Sequence, residues 1–519
     1  MLSADVRSRA RTSEGSPNVK RCAWLLFAAL ALVACPRTKG AGKADAPPDP
    51  VLLESFDYAW ARVAEVHPYP DMKGLDWDDV RARYRPRAEA ARTVPEVRRV
   101  IMGMLGELGE SHYAVFPATK PDVDEEEPAK RVKSAKGKKK RKDPAASSST
   151  SGSTSTSTDE PPEAPSEAPS DEPEAARDDG EGDPEEAADE DEPPVSDAEV
   201  GVEVRLVDGT VVVSRVLPGS SAHEAGVQVG WRIAGIGAMR VAQLIDGMPD
   251  RMKESSGHSL FAAHLVATLL AGREGTTVDI EAGMGDDLQS LTLERRQVGV
   301  TAFFGNFPPI SVRFEADTLA EGRVGYIGFS VFMPVVAMKF QEAMRAHRDA
   351  GTEALIIDLR GNPGGLAGMV MGLSGWLVAD RGAALGVMKS RTTELRFVVN
   401  PRASKDRFDG PVVVLIDGLS ASTSELFAAG LQELGRATVV GTTSAGMSLP
   451  SIIETLPNGD LLQFVTADLH TPAGVRIEGA GVTPDVVVPL TEASLLAGAD
   501  PQLDAAVSHL LNALAPEPE

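Results

Sequence analysis

Cysteine is scarce in this chain: 519 residues include two, Cys22 and Cys35, so no disulfide framework can hold the fold together. The eight histidines have no His, Cys or carboxylate companions at metal-ligand spacing, and no metal or other cofactor is expected. An excess of positive charge is also missing. The formal net charge is −24, spread unevenly: residues 159–192 hold 17 acidic residues against a single arginine. The rest of the chain is then only mildly acidic, and nothing in it asks for nucleic acid. An apolar run that would comfortably span a membrane is lacking as well. CAWLLFAALALVA, after Lys20 and Arg21, is too short for that and has the length of a signal-peptide core.

That run ends LVAC, with Cys35 preceded by small residues. It resembles a bacterial lipoprotein signal. The resemblance implies that residues 1–35 are the signal region, that Cys35 becomes the lipidated first residue of the mature protein, and that Cys22 is removed. The mature chain then has no second cysteine to pair. It would sit in the bacterial cell envelope, held to a membrane by lipid and facing the periplasm or the exterior. Residues 36–49 read as a polar, proline-containing tether.

From position 50 to 119 the pattern is helical. Leu53, Phe56, Trp60, Val63 and Val66 recur at three- and four-residue steps, and further helices are expected over Trp77–Tyr84 and Val94–Leu108. Residues 120–196 carry an acidic patch, the basic tract KRVKSAKGKKKRK, a Ser/Thr tract and a Pro/Glu/Asp tract. With no apolar periodicity to support a core, this linker is expected to be disordered. Order returns over 197–298, where GVEVRLVDGTVVVSRV alternates apolar and polar residues and a short helix is expected at Ala222–Ala225. With the closing TTVDIEAG and LTLERR, this stretch resembles a bacterial PDZ domain, apart from Gly230-Trp231 where a Gly-Asp pair is usual. Such a domain implies capture of peptide tails by strand addition. Residues 299–490 alternate strands and helices, which predicts an α/β layer architecture. Helices are expected at Val335–Ala350 and Ala367–Val378, and one more from Ala493 to Leu514 within the 491–519 tail.

The chemistry concentrates in PVVVLIDGLSASTSELFAAGLQELG. A β-branched strand ends at Asp417, Gly418 turns the chain, and an amphipathic helix begins near Thr423. A serine in such a turn faces converging backbone N–H groups and the positive end of the helix dipole. Ser422 is the candidate nucleophile. Local chemistry alone favours the plainer reading, in which Ser420, Ser422 and Ser424 are only helix caps. Two distant stretches bear on the choice: ALIIDLRGNPGG, a buried strand running into a Gly/Pro turn, and ELGESHYAVF, a Ser-His pair after a helix.

SHYAVF, DLRGNPGG, SASTSE and EGAGVTPD, in that order, resemble the tail-specific, or C-terminal processing, serine peptidases. That implies an α/β multidomain protein: an N-terminal helical bundle, a PDZ-like β-rich domain and a ClpP/crotonase-like α/β peptidase core. The lysine base of the commonest branch is missing, because Met447 stands at its place in TSAGM and Ser451 replaces the accompanying glutamine. The branch similar to the tricorn protease core uses histidine and glutamate, and both have counterparts here. The resemblance implies His112 as general base, Glu478 as the group that orients it, Ser111 as an ancillary hydrogen-bonding residue, and the N–H groups of Gly365 and Thr423 as oxyanion donors. His470 is the rival base, and His67, His223, His258, His264, His347 and His509 are expected to be structural. The expected partner is a protein or peptide substrate. Loss of the lysine also fits a non-catalytic relative that only binds peptides or lipids.

Overall fold

The computed structural model describes residues 49–117, 198–298, 300–302 and 310–515. Cys35, the tether before residue 49 and the 120–196 linker lie outside the described residues.

Each N-terminal helix begins at a side chain that can accept an orphan N–H. Asp49 caps Pro50–Val66, Asp76 caps Trp77–Ala90 and Thr93 caps Val94–Gly106. Their apolar stripes meet at Phe56, Ala59, Val63, Val97, Ile101 and Leu105, all essentially without exposure. The second helix runs six residues past its expected end at Tyr84 and passes through Pro86. A proline there removes one helical hydrogen bond. Burial of Ala88 and the Arg85 ion pairs with Asp57 and Glu89 hold the turn in place.

This bundle does not close its core alone. The antiparallel hairpin Ser451–Thr455 and Leu461–Val465 pairs with the short strand Ala114–Phe116, Val115 facing Leu462. Leu449, Leu456, Leu462, Phe464 and Val465 fill the same core as the three helices. The arrangement brings the segment carrying Ser111 and His112 against a region more than 300 residues later in the chain.

A second unit is an antiparallel sheet of Val202–Val207, Thr210–Val216, Arg232–Ile236, Thr277–Met284 and Asp287–Glu294. Its inward residues Val204, Val213, Ile233, Ile280 and Leu293 pack with Ala262 and Val266 of the His258–Leu270 helix. The short helix expected at 222–225 is found at Ser221–Glu224.

The third unit is a six-stranded sheet in the order Phe314–Leu319, Val324–Phe329, Ala354–Asp358, Val412–Ile416, Thr438–Gly441 and Val486–Val487. The first pair is antiparallel and the others are parallel. Both faces of the central strands are covered, which is why ALIID and VVVLI read as unbroken apolar runs. Ile357, Val414 and Ile416 point to the Pro334–Asp349 and Thr423–Glu433 helices, whereas Ile356, Val413 and Leu415 point to the Pro501–Ala513 helix. Phe332, Phe340 and Phe427 are fully buried on the first face, and truncating one of them to alanine removes about 3–5 kcal/mol.

Two expected helices are shorter than predicted. Residues 367–378 form only Met369–Leu373 and a 3-10 turn, Ser374–Trp376. The backbone at Gly375 runs against Asn400, where a Cβ would lie 1.9 Å from the carbonyl oxygen, so close approach prevails over helix geometry. The C-terminal helix splits into Glu492–Leu496 and Pro501–Ala513, broken by left-handed Gly498 and restarted by a proline in its first turn.

Candidate active site

Parallel pairing of Asp358 with Leu415 sends two loops out of the same end of the sheet. In open α/β sheets this is the end where ligands bind. Asp417 ties the loops together, its Oδ1 accepting the N–H groups of Gly361 (2.9 Å) and Leu419 (3.0 Å). Its Oδ2 accepts from Arg205 of the second unit at 2.6 Å. Fully buried Asn362 adds more ties: its carbonyl accepts from the Ala421 N–H at 3.1 Å and the Ser424 hydroxyl at 2.9 Å. The Ser424 and Ser420 hydroxyls, the latter donating to the Leu359 carbonyl at 2.7 Å, are thus consumed inside the protein.

Ser422 is different. It opens the Thr423–Glu433 helix with φ +53, a left-handed conformation that a serine adopts only under constraint. The Gly364–Gly365 backbone lies against it; a Cβ on Gly364 would meet the Ser422 Cβ at 2.7 Å and the Thr423 nitrogen at 2.9 Å. Gly365, at φ +129, could not accept a Cβ either, because the Phe332 carbonyl oxygen would be 2.4 Å away. The Thr423 hydroxyl donates to the Gly365 carbonyl at 2.8 Å, fixing the two segments in register. No acceptor among the described residues takes the N–H of Gly365 or of Thr423.

His112 has φ +63, one of seven non-glycine residues with positive φ among those described. Its Nδ1 lies 2.7 Å from the Ser111 Oγ, which donates to Glu478 Oε2 at 3.0 Å. A hydroxyl has one proton; with that proton on the carboxylate, Oγ accepts from His112 Nδ1–H, and Nε2 is left with its lone pair. No hydrogen bond runs directly from Glu478 to the imidazole: Ser111, expected to be ancillary, stands between them. Glu478 also accepts the Ser111 N–H at 3.1 Å and the Ser448 N–H at 2.7 Å. Desolvation pushes the His112 imidazole down to about 4. Burial raises the Glu478 carboxyl, opposed by these N–H groups, the Ser111 hydroxyl and Arg476.

The two halves meet at residues 447 and 448. The Ser422 N–H donates to the Met447 carbonyl at 2.9 Å, and the next residue supplies the N–H held by Glu478. No hydrogen bond joins Ser422 to His112 among the described residues. The Met447 side chain packs with Ala421, Ala445, Leu260 and Phe261, an apolar setting that offers no base. His470 is not part of this network, and its Nδ1 is buried without a partner.

Sequence reasoning missed Glu425, Asn362, Asp417 and Ser448. Glu425 is fully buried, and its desolvated carboxyl is pushed up to about 7. The signal for it was present in SASTSE, a glutamate three residues after a cap serine. A cleft of roughly 290 Å³ bounded by Arg205, Arg215, Arg360, Asp417 and Asp500 has none of Ser422, His112 and Glu478 in its wall. No group of three or more His, Cys, Asp or Glu able to hold a metal ion occurs among the described residues.

Residues 323–488 match Peptidase family S41, and residues 52–106 match the Tricorn protease C1 domain. A carboxy-terminal-processing protease of Bartonella bacilliformis is 29% identical over 56% of this chain and 62% of its own length. A probable CtpA-like serine protease of Staphylococcus aureus is 24% identical over 56% of this chain and 52% of its own. The chain thus matches less than two thirds of either relative. The solved photosystem II D1 C-terminal processing protease shares the fold, with TM-score 0.52 and 20% identity over 88% of this chain and 97% of that one. Mature CPAF complexed with lactacystin also shares it, with TM-score 0.52 and 13% identity over 89% and 98%. The chain therefore carries a peptidase family S41 domain, preceded by a tricorn protease C1 domain.

Proposed function

We propose that this protein is a serine endopeptidase that hydrolyses peptide bonds of protein or peptide substrates through Ser422, His112 and Glu478. The observation that carries the reading is the hydrogen-bond chain from Glu478 through Ser111 to His112 Nδ1, anchored one residue away from the backbone contact of Ser422. In the reaction His112 Nε2 takes the Ser422 hydroxyl proton as Oγ attacks the scissile carbonyl carbon. The oxyanion that forms accepts from the N–H groups of Gly365 and Thr423, which have no other partner among the described residues. His112 then returns the proton to the leaving amine, and water releases the acyl group by the same route in reverse. Ser111 and negatively charged Glu478 stabilise the transient imidazolium. Absence of a Ser422–His112 hydrogen bond before substrate arrives is no obstacle, since such contacts tighten in the complex.

The antiparallel unit of residues 198–296 supports a PDZ-like role in engaging substrate tails by strand addition. The LVAC ending at Cys35 supports a lipid anchor in the bacterial envelope. These assignments rest on sequence resemblance and on the strand order of that unit.

Labelling of the full chain with a fluorophosphonate probe tests the mechanism. Wild type should acylate at Ser422. Ser422→Ala should not label, and His112→Ala should label at least 100-fold more slowly. An intact wild type that never acylates would favour a peptide-binding protein instead.

A further inference from the structure

Three successive backbone N–H groups, those of Gly446, Met447 and Ser448, end on two carboxylates, fully buried Glu425 and half-buried Glu478. Glu425 Oε1 accepts from Gly446 at 2.6 Å, and its Oε2 accepts from Met447 at 3.1 Å. Glu478 Oε2 accepts from Ser448 at 2.7 Å. Glu425 also accepts the N–H of Ser422 at 2.9 Å and the hydroxyl of Ser444 at 2.6 Å. Four donors converge on one side chain with no exposure, and no cation pairs with it among the described residues.

A glutamate at this helix position ordinarily caps a single N–H at the surface. Glu425 does more, because its other three donors belong to residues 444–447, the segment where a lysine base is missing. Gly446 makes the segment possible: at φ +64, a Cβ there would lie 2.4 Å from the Ser256 hydroxyl and 2.9 Å from the Gly481 nitrogen. The Gly446 carbonyl accepts from the Gly479 N–H at 2.8 Å, beside Glu478.

We infer that residues 446–448 form a bracket between the two halves of the site, and that Glu425 is the positioning residue that sets Ser422 in register with His112. The inference rests on the serine peptidase reading. One end of the bracket holds Ser422 through Glu425 and the Met447 carbonyl; the other holds Glu478, and through it Ser111 and His112. In this chain the segment acts through its backbone, so its side chain at 447 is free to be apolar.

The test uses the full chain, the fluorophosphonate probe and dye-labelled casein as substrate. Glu425→Gln keeps the shape of the side chain but turns an NH2 group toward two of the four donors. Its acylation rate per active molecule should fall about 100-fold, as expected for a displaced nucleophile, while KM for casein stays within threefold. Ser444→Ala removes one donor and should lower the acylation rate about tenfold. Amide hydrogen exchange at Gly446 and Met447 should accelerate in Glu425→Gln, independently of any activity. A role confined to folding would lower the melting temperature and the labelled fraction, leaving the rate per active molecule unchanged. A Glu425→Gln protein that melts cooperatively and acylates within threefold of wild type overturns the inference. If that variant does not fold, wild-type acylation by Ser444→Ala overturns it. If wild type itself is not acylated, the serine peptidase reading fails, and unchanged exchange at Gly446 and Met447 would then dismiss the bracket separately.

Discussion

A histidine that serves as base must be neutral before the reaction, and the desolvation of half-buried His112 by the protein around it should keep it neutral well into acid. Desolvation disfavours the imidazolium, moving the group from 6.5 to about 4. The difference corresponds to about 3 kcal/mol by the 1.36 kcal/mol per unit conversion. For stability the sign follows from proton uptake. Between pH 6.5 and 4 the unfolded chain binds a proton that the folded chain refuses, so this group's contribution is present above 6.5 and is lost as pH falls toward 4. Histidine labelled with carbon-13 at Cε1, observed by NMR in the Ser422→Ala background, reads the titration without autolysis. Comparison with His112→Asn assigns the resonance among the eight histidines. The imidazole should stay neutral at pH 5.5, in the Nδ1–H tautomer set by Ser111. Titration at 6.5 or above would refute the argument, because it would mean that Glu478 and Ser111 outweigh desolvation in the resting protein. Activity alone is a poorer readout: burial also raises Glu425 to about 7 and raises Glu478, so carboxylates can shape the acid limb first.

Gly365→Ala should cut turnover 100-fold or more by displacing an oxyanion donor, and should lower stability by about 1–3 kcal/mol through backbone strain; a steady-state assay with a thermal melt checks both. Its proposed Cβ clash with the Phe332 carbonyl is the structural cause. Cys35→Ser should abolish lipidation, and intact-mass spectrometry that finds no lipid on the wild-type N-terminal residue would remove the anchor proposal.

Much of the α/β region was legible because its signals are local. ALIID and VVVLI are apolar, β-branched and bounded by turn residues, and they form the two central strands. The serine turn was legible too, since a strand, a glycine and a helix start are adjacent in sequence. Helix ends were not. Residues 367–378 have a helical composition, but the close approach of Gly375 to Asn400 breaks the run, and no local signal announces a contact 25 positions away. The helix expected over Trp77–Tyr84 departs in the other direction, continuing through Pro86 to Ala90, because tertiary packing of Ala88 outweighs the lost hydrogen bond.

The site divides in the same way. The strand-turn-helix setting made Ser422 a candidate, while His112, Glu478 and the loss of a lysine base at Met447 followed from the resemblance of the ordered motifs to the tail-specific and tricorn-like peptidases. Only the tertiary structure decided how they connect. The pairing of Ala114–Phe116 with Leu461–Val465 carries His112 across the chain, and the bracket at 446–448 aligns it with the serine turn. Whether Ser111 lies beside the relay or within it depends on two distances from its Oγ, 2.7 Å to His112 Nδ1 and 3.0 Å to Glu478 Oε2, a residue 367 positions away. The ties that hold the carboxylates beside it come largely from backbone N–H groups, those of Ser111, Gly446, Met447 and Ser448, which every residue but proline possesses, so the sequence leaves no mark that distinguishes the ones in use.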